Sequence, residues 1–304
     1  MRVLGHNLLL AAVAFACSSL QGPVVAAGGP AAPITAAPGT LVRWSAPGTT
    51  RCGMLGRTWA ALQETCYYPI DLLQKPGVVV VARMISGRRE TARITVGPFA
   101  YGTEAIELPD IPQADPSADD LKRNSRDQVL LGKVWARPEL PARFTLPLGD
   151  PAKPLPEGQS FGVKRVFNGK PAAQPHTGCD YATPMGSPIL AAADGTVVVA
   201  EDLFFAGNAV FIDHGNGLVT MYFHLSEIKV AVGQEVAKGH TLGAVGSTGR
   251  STGPHLFFGV RWHNARVDPT ILLGAPADIP SVDAVAKPAG LPAPSRGASS
   301  EPVR

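Results

Sequence analysis

Short apolar, β-branched runs broken by polar and glycine-containing turn positions dominate the chain. Residues 77–96 (GVVVVARMISGRRETARITV) place β-branched runs on both sides of Ser86-Gly87, which predicts a β-hairpin turning there. Beyond residue 160 the same texture returns in short runs at 188–191, 195–200, 209–213, 218–224, 241–245 and 256–261. Asp194-Gly195, His214-Gly-Asn-Gly217, Val232-Gly233 and Lys238-Gly239 punctuate them with turn chemistry. Strands at such short spacing fit an antiparallel sheet or sandwich and not a βαβ array. One stretch has helical character, Ser117 to Leu131: Ser117 can cap its first turn, and Asp119 and Asp120 suit its positive end. The expected fold is mainly β, with a C-terminal antiparallel β-sheet or sandwich domain preceded by a smaller β-rich N-terminal domain.

The ends and joints follow from composition. Met1-Arg2, the apolar run Leu8 to Phe15 and the small residues Val25-Ala26-Ala27 predict a secretory signal peptide over 1–27. Cys17 lies in AFAC, where Phe15 and Ala14 argue against a lipidation signal. A Pro/Ala spacer is expected over 28–40, a β-rich module with one helix over 41–135 and a Pro-rich linker over 136–159. The second domain then runs over 160–274, and a disordered tail over 275–304. No apolar run reaches the roughly 18 residues of a membrane span. An exported protein is expected, periplasmic in preference to extracellular. Export permits a disulfide, and Cys52 and Cys66 are the natural pair, which leaves Cys179 as a small buried thiol.

Charge narrows the function classes. Lys+Arg 27 against Asp+Glu 24 leaves a net charge of only +3, and no basic run accumulates, which argues against nucleic acid as a partner. Gly 33 and Pro 29 with only 17% charged residues describe a chain rich in turns and short strands.

The candidate chemistry gathers in the second domain. In Pro-His-Thr-Gly-Cys-Asp, Pro175, Gly178 and Pro184 disfavour a helix. In extended chain His176 and Asp180 share a face, and Cys179 points the other way. An imidazole and a carboxylate on one face are two-thirds of a hydrolytic zinc site, although a loop histidine capped by its own aspartate is the plainer reading of the pair alone. Tyr222-Phe-His224 closes one predicted strand and His255-Leu-Phe257 opens another. His214 and His240 read as turn and surface residues, and Asn208 as a turn residue or a contact to a peptide lying beside the sheet.

Taken together, HTGCDYATPMGSPILAAADGTVV, VFIDHGNGLVTMYFHLSEI and VGQEVAKGHTLGAVGSTGRSTGPHL resemble the lysostaphin-type (LytM-like) zinc endopeptidases, which cut peptide cross-bridges of peptidoglycan. The resemblance covers about a third of the chain, in the family's order and spacing. It implies zinc as cofactor, with His176 and Asp180 as ligands. It places His224 near the metal-bound water, and makes His255 the assisting first histidine of an H-x-H motif. The second histidine of that motif, the third zinc ligand, is here Phe257. A ring without a lone pair at that position is expected to weaken or abolish zinc-dependent hydrolysis, and to fill the space of the ion. The resemblance therefore leads to an exported peptidoglycan metalloendopeptidase homologue, active only if His255 or an outside ligand fills the gap. Alternatively it is a non-catalytic cell-wall-binding regulator, whose partners are peptidoglycan peptides or a cell-wall hydrolase. A third reading, a biotinyl- or lipoyl-carrier hairpin around Lys238, lacks the hydrophobic neighbours such a lysine needs.

Overall fold

The computed structural model describes residues 34–283. The expected signal peptide, Cys17, the spacer residues before Ile34 and the tail beyond 283 lie outside the described residues, while Ile34–Ala36 within the expected spacer forms a strand. Seven short strands build the N-terminal part. A five-stranded sheet runs in the order Ile34–Ala36, Arg88–Val96, Gly77–Ile85, Thr49–Met54, Arg57–Ala60, and a two-stranded ribbon pairs Leu41–Ser45 with Thr65–Pro69. Between these layers Val79, Val81, Ile94 and Val96 pack against Val42, Trp44, Tyr68 and Ile70. Val78 and Val80, on the opposite side of the pleat, are exposed, as alternation requires. The long hairpin turns at Ser86 and Gly87, which both have positive φ (48° and 76°), the geometry a two-residue turn needs. The Cys52–Cys66 disulfide ties the five-stranded sheet to the ribbon.

The C-terminal part is one antiparallel nine-stranded sheet. Its main order is Gly178–Tyr181, Leu256–Trp262, Leu218–Ile228, Gly207–Asp213, Gly195–Leu203, Glu235–Val236. Thr241–Val245 bridges Leu218–Ile228 and Pro188–Leu190, while Ala265–Val267 pairs with Leu256–Trp262. Both faces are covered. Val210, Ile212, Tyr222, Phe258 and Val260 point into the main core, and Phe211, Val219, Met221 and Phe257 into a second cluster under the helix Ala118–Trp135. Ser117 caps that helix in a reciprocal capping box with Asp120. Asp127 accepts the Phe204 N–H at 2.7 Å and Arg123 pairs with Asp202 at 2.8 Å, so the helix is fastened to the hairpin it covers.

Three expectations change in three dimensions. The Pro-rich stretch 136–159 is a packed element and not a bare linker. Phe144, Leu148 and Ala152 are buried in the main core, and Leu148 and Gly149 donate to Leu272 and Ala192 carbonyls at 2.8 and 2.7 Å. Proline removes a donor but leaves neighbouring apolar side chains free to bury. The first residues of the expected tail also pack. Ile279 and Val282 are buried, and Arg43 Nε donates to the Ile279 carbonyl at 2.9 Å. His214 is fully buried and not a surface turn residue, held between the Asp194 carbonyl at 2.8 Å and Thr220 Oγ1 at 2.7 Å.

The two expected domains share one core, because Leu41, Leu62, Tyr67 and Leu72 pack with the residues of the large sheet. Arg266 grips Asp71 with both carboxylate oxygens at 3.0 Å, and Trp59 stacks on His263 at 4.2 Å. Lys238 sits on the hairpin as a surface residue whose Nζ donates to the Pro147 carbonyl at 3.3 Å.

Candidate functional site

Register across three strands of the large sheet builds the site. Phe223 faces Phe257, and Phe257 faces Asp180, so the three occupy one row on one face. The segment 159–165 runs beside this edge: Gln159 and Asp180 exchange backbone hydrogen bonds at 3.0 and 3.1 Å, and His176 N–H donates to the Val163 carbonyl at 2.9 Å. Ser160 and Arg165 are thereby brought against His176 and Asp180. Neither was singled out in the sequence. Arg165 lies eleven residues before His176 with no motif around it, and only the folding of its strand, Lys164–Phe167, beside the Thr103–Ile106 strand aims it inward.

Asp180 is the electrostatic centre. Its Oδ2 accepts from Arg165 Nη2 at 2.5 Å and from Ser160 Oγ at 3.3 Å, while Arg165 Nη2 also reaches Ser160 Oγ at 2.9 Å. Burial works to raise the Asp180 pKa, but the surrounding imidazoles and the Arg165 guanidinium outweigh it and hold it below the ordinary value. The other oxygen, Oδ1, is buried and has no hydrogen-bond partner. It lies 3.4 Å from His176 Nε2 and 3.6 Å from His255 Nε2.

The three histidines are oriented in the same way. His176 Nδ1 lies 3.2 Å from the Ser160 carbonyl, His224 Nδ1 2.8 Å from the Thr248 carbonyl and His255 Nδ1 2.9 Å from the Gly253 carbonyl. A carbonyl can only accept, so each Nδ1 carries the proton and each Nε2 keeps its lone pair. Burial pushes His176 down to about 4 against the attraction of Asp180, and pushes His224 down to about 3 with His255 adding to the effect. His224 and His255 lie with ring centroids 4.7 Å apart. His224 has φ +66°, a rare left-handed conformation for a side chain of that size, at a bulge where the strand's register shifts. The bulge re-aims His224 out of simple alternation. The cluster therefore offers hydrogen-bond acceptors: imidazole nitrogens that burial keeps neutral at His176 and His224, and a carboxylate oxygen with no donor of its own.

Phe257 closes the remaining side. It is 4% exposed, stacks on Phe223 at 4.4 Å with the planes 1° apart, and meets the His176 ring edge-on at 5.1 Å. A Cβ added to Gly178 would fall 2.5 Å from the Phe257 ring, and one on Gly259 2.9 Å from it. Two side-chain-free positions in the sheet thus cradle the ring.

Outside the row, a groove of about 600 Å³ runs between the helix Ala118–Trp135 and the sheet, with His176, His224, Phe257, Arg165 and Arg250 in its walls. Asn208 spends its side-chain amide on the Leu225 and Ser226 carbonyls at 3.0 and 3.4 Å, which fastens the bulge. Cys179 faces the other side of its strand, buried, with Sγ 3.6 Å from Asp268 Oδ1.

A profile of Peptidase family M23 matches residues 174–269. Peptidoglycan DD-endopeptidase ShyA of Vibrio cholerae is 43% identical over 99 residues, 33% of this chain and 23% of ShyA. DD-carboxypeptidase/endopeptidase Mpg of Neisseria meningitidis is 49% identical over 94 residues, 31% of this chain and 22% of Mpg. The chain thus spans about a quarter of the length of these curated relatives. A crystal structure from Pseudomonas aeruginosa, provisionally named a peptidase M23, matches 79% of this chain and 95% of its own with 31% identity and a TM-score of 0.60. The chain belongs to peptidase family M23. The Pseudomonas match covers more of the chain than the large sheet alone can supply, so the N-terminal strands have a counterpart in that M23 structure.

Membership of M23 implies zinc, and the residues present can be tested against it. A catalytic zinc normally takes three protein ligands and a water. His176 and Asp180 offer donors, and directly across from Asp180 stands the buried carbon ring of Phe257. Among the described residues no group of three or more His, Cys, Asp or Glu side chains has the mutual geometry of a metal site. The residues do not fit the three-donor site. Asp180 Oδ1 is left unpartnered, while Arg165 engages its other oxygen.

Proposed function

We propose that this protein is an exported M23 homologue of the bacterial cell wall, periplasmic in preference to extracellular. In this reading it binds peptidoglycan peptides in its groove, with zinc-dependent hydrolysis weakened or lost. The observation that carries the proposal is Phe257, buried and stacked between Phe223 and the His176–Asp180 pair at the position of the third ligand. Without a tightly held Lewis acid, a neutral imidazole can still accept a proton from water, but the peptide carbonyl is not polarised. The relatives named DD-endopeptidases supply the class of peptide. A groove that binds without cutting would suit a regulator of cell-wall hydrolases.

A second reading has its own support. His176 Nε2 and His255 Nε2 both approach the unpartnered Asp180 Oδ1, at 3.4 and 3.6 Å, so a shift of these side chains would bring three donors toward one ion. His255 could then serve as the third donor, at the expense of its assisting role. Zinc content of the purified mature protein, measured beside Phe257→His and His255→Ala, separates the two. The first reading expects sub-stoichiometric zinc in the natural protein and near-stoichiometric zinc in Phe257→His. Near-stoichiometric zinc in the natural protein, lost in His255→Ala, would overturn it and assign His255 as the ligand.

A further inference from the structure

Arg250 is the cation in the groove that the site chemistry leaves unused. Its guanidinium carbon lies 4.2 Å over the Phe167 ring and 4.6 Å over the Phe205 ring, so two cation–π contacts hold it. The backbone fixes this arrangement as well. Arg250 N–H donates to the Phe205 carbonyl at 2.9 Å, Asn208 N–H donates to Thr248 Oγ1 at 3.0 Å, and Thr248 Oγ1 donates to the Leu225 carbonyl at 2.8 Å. Gly207 and Gly249 both have positive φ, and a Cβ on Gly249 would lie 2.3 Å from the Gly207 nitrogen, so the two loops touch through backbone.

The other charges of the groove are spoken for. Arg165 holds Asp180 and approaches Glu104 at 3.4 Å, Lys170 pairs with Asp115 at 2.7 Å, and the Asp127 carboxylate accepts the Phe204 N–H. Arg250 has no carboxylate partner among the described residues. Burial, with Arg165 adding to the effect, lowers its pKa to about 10, and no anion acts in the opposite direction. A guanidinium that is half-buried, held by two rings and unpaired is preorganised for an external anion, and its planar fork matches a carboxylate. The walls around it mix apolar side chains, among them Phe167, Phe205 and Phe257, with polar ones such as Asn124, Gln128 and Gln174. Such a lining suits a peptide, which carries both backbone amides and apolar groups.

We propose that Arg250 binds a carboxylate of the short peptide that occupies the groove, and so selects peptides bearing a free acid at that point. The proposal rests on the reading of the groove as a peptide site. The test is calorimetric titration of the full mature chain with the pentapeptide L-Ala-γ-D-Glu-L-Lys-D-Ala-D-Ala. It is repeated with the C-terminal amide of that peptide and with the form whose glutamyl α-carboxylate is an amide. Arg250→Gln, checked for an unchanged melting temperature, is expected to weaken the parent peptide by roughly 10- to 100-fold, the effect of removing one charge-assisted pair. One of the two neutralised peptides should bind the natural protein equally weakly and lose nothing further in the variant. Arg250→Lys, which keeps the charge and the stem over the rings, should recover part of the affinity and covers the case in which Arg250→Gln fails to fold. Equal affinity of natural and variant protein for the parent peptide would overturn the assignment of Arg250 alone. Absence of binding by any of the three peptides to the folded natural protein would overturn the peptide-groove reading and the assignment with it.

Discussion

Replacing Phe257 by alanine asks whether the ring is structural filling beside the His176–Asp180 pair. The ring is 4% exposed, so nearly its whole surface leaves water on folding. Aromatic side chains of this kind bury about 150–250 Å², and at about 25 cal/mol per Å² the transfer contribution is roughly 4–6 kcal/mol, less the part an alanine methyl keeps. The stack on Phe223 adds about 0.5–1.5 kcal/mol. Relaxation into the hole is restricted, because Gly178 and Gly259 lie beside the ring as backbone in paired strands and carry no side chains to move in. The expected loss is therefore about 4 kcal/mol, inside the usual range for such truncations. For a fold of this size it corresponds to roughly 8–16 °C in melting temperature. The assay is urea unfolding with a chelator present, supported by calorimetry. Phe257→His should lose a similar amount in chelator and recover about 4 kcal/mol when free zinc stands at roughly 1,000 times its dissociation constant. Gly259→Ala should be destabilising in the natural protein and less so beside Phe257→Ala, since its Cβ meets the ring at 2.9 Å and otherwise only the flexible end of Met221. A loss below about 1.5 kcal/mol for Phe257→Ala, or additive effects in the Gly259 double variant, would refute the claim that the ring fills this space.

Other expectations concern the frame around the site. Burial holds His214 at about 4, below the ordinary histidine value, so between pH 6.5 and 4 the unfolded chain binds the additional proton. Its contribution is complete above pH 6.5 and falls as pH drops through that window, by about 3 kcal/mol in all. His214→Asn should flatten the pH dependence of unfolding free energy measured from pH 7 to 4.5, and an unchanged slope would count against the buried neutral imidazole. Reduction of Cys52–Cys66, fourteen residues apart, should lower stability by about 3 kcal/mol through loop-closure entropy. Urea unfolding with and without reductant measures it, and coincident curves would contradict the estimate.

Local chemistry made much of the architecture legible. Alternation at 77–96 and in the short runs after 188 marks strands because the pleat itself has period two, and the Gly-containing dipeptides supply the turn conformations between them. Ser117 begins the helix by satisfying orphan backbone donors, a need met within three residues. The family motifs carried His176, Asp180, His224, His255 and the departure at Phe257. What the chain could not reveal locally is whatever depends on partners far along it. Phe144 and Leu148 look like linker residues until Leu272 and Ala192 meet their segment. The beginning of the expected tail is ordered by Arg43, more than 200 residues away.

By itself, then, the sequence determined the β class, the hairpin at 77–96, the main strands after 188, the long helix, the Cys52–Cys66 pair and four members of the polar cluster, His176, Asp180, His224 and His255. Only tertiary structure decided that Arg165 neutralises one oxygen of Asp180 while the other stays unpartnered. It also decided that Phe257 lies between two glycines instead of leaving a hole, and that Arg250 stands unpaired against Phe167 and Phe205. The physical reason is that element formation is driven by short-range dihedral and periodicity preferences. Charge pairing and ring packing at a site depend on distances across strands, which no local pattern records.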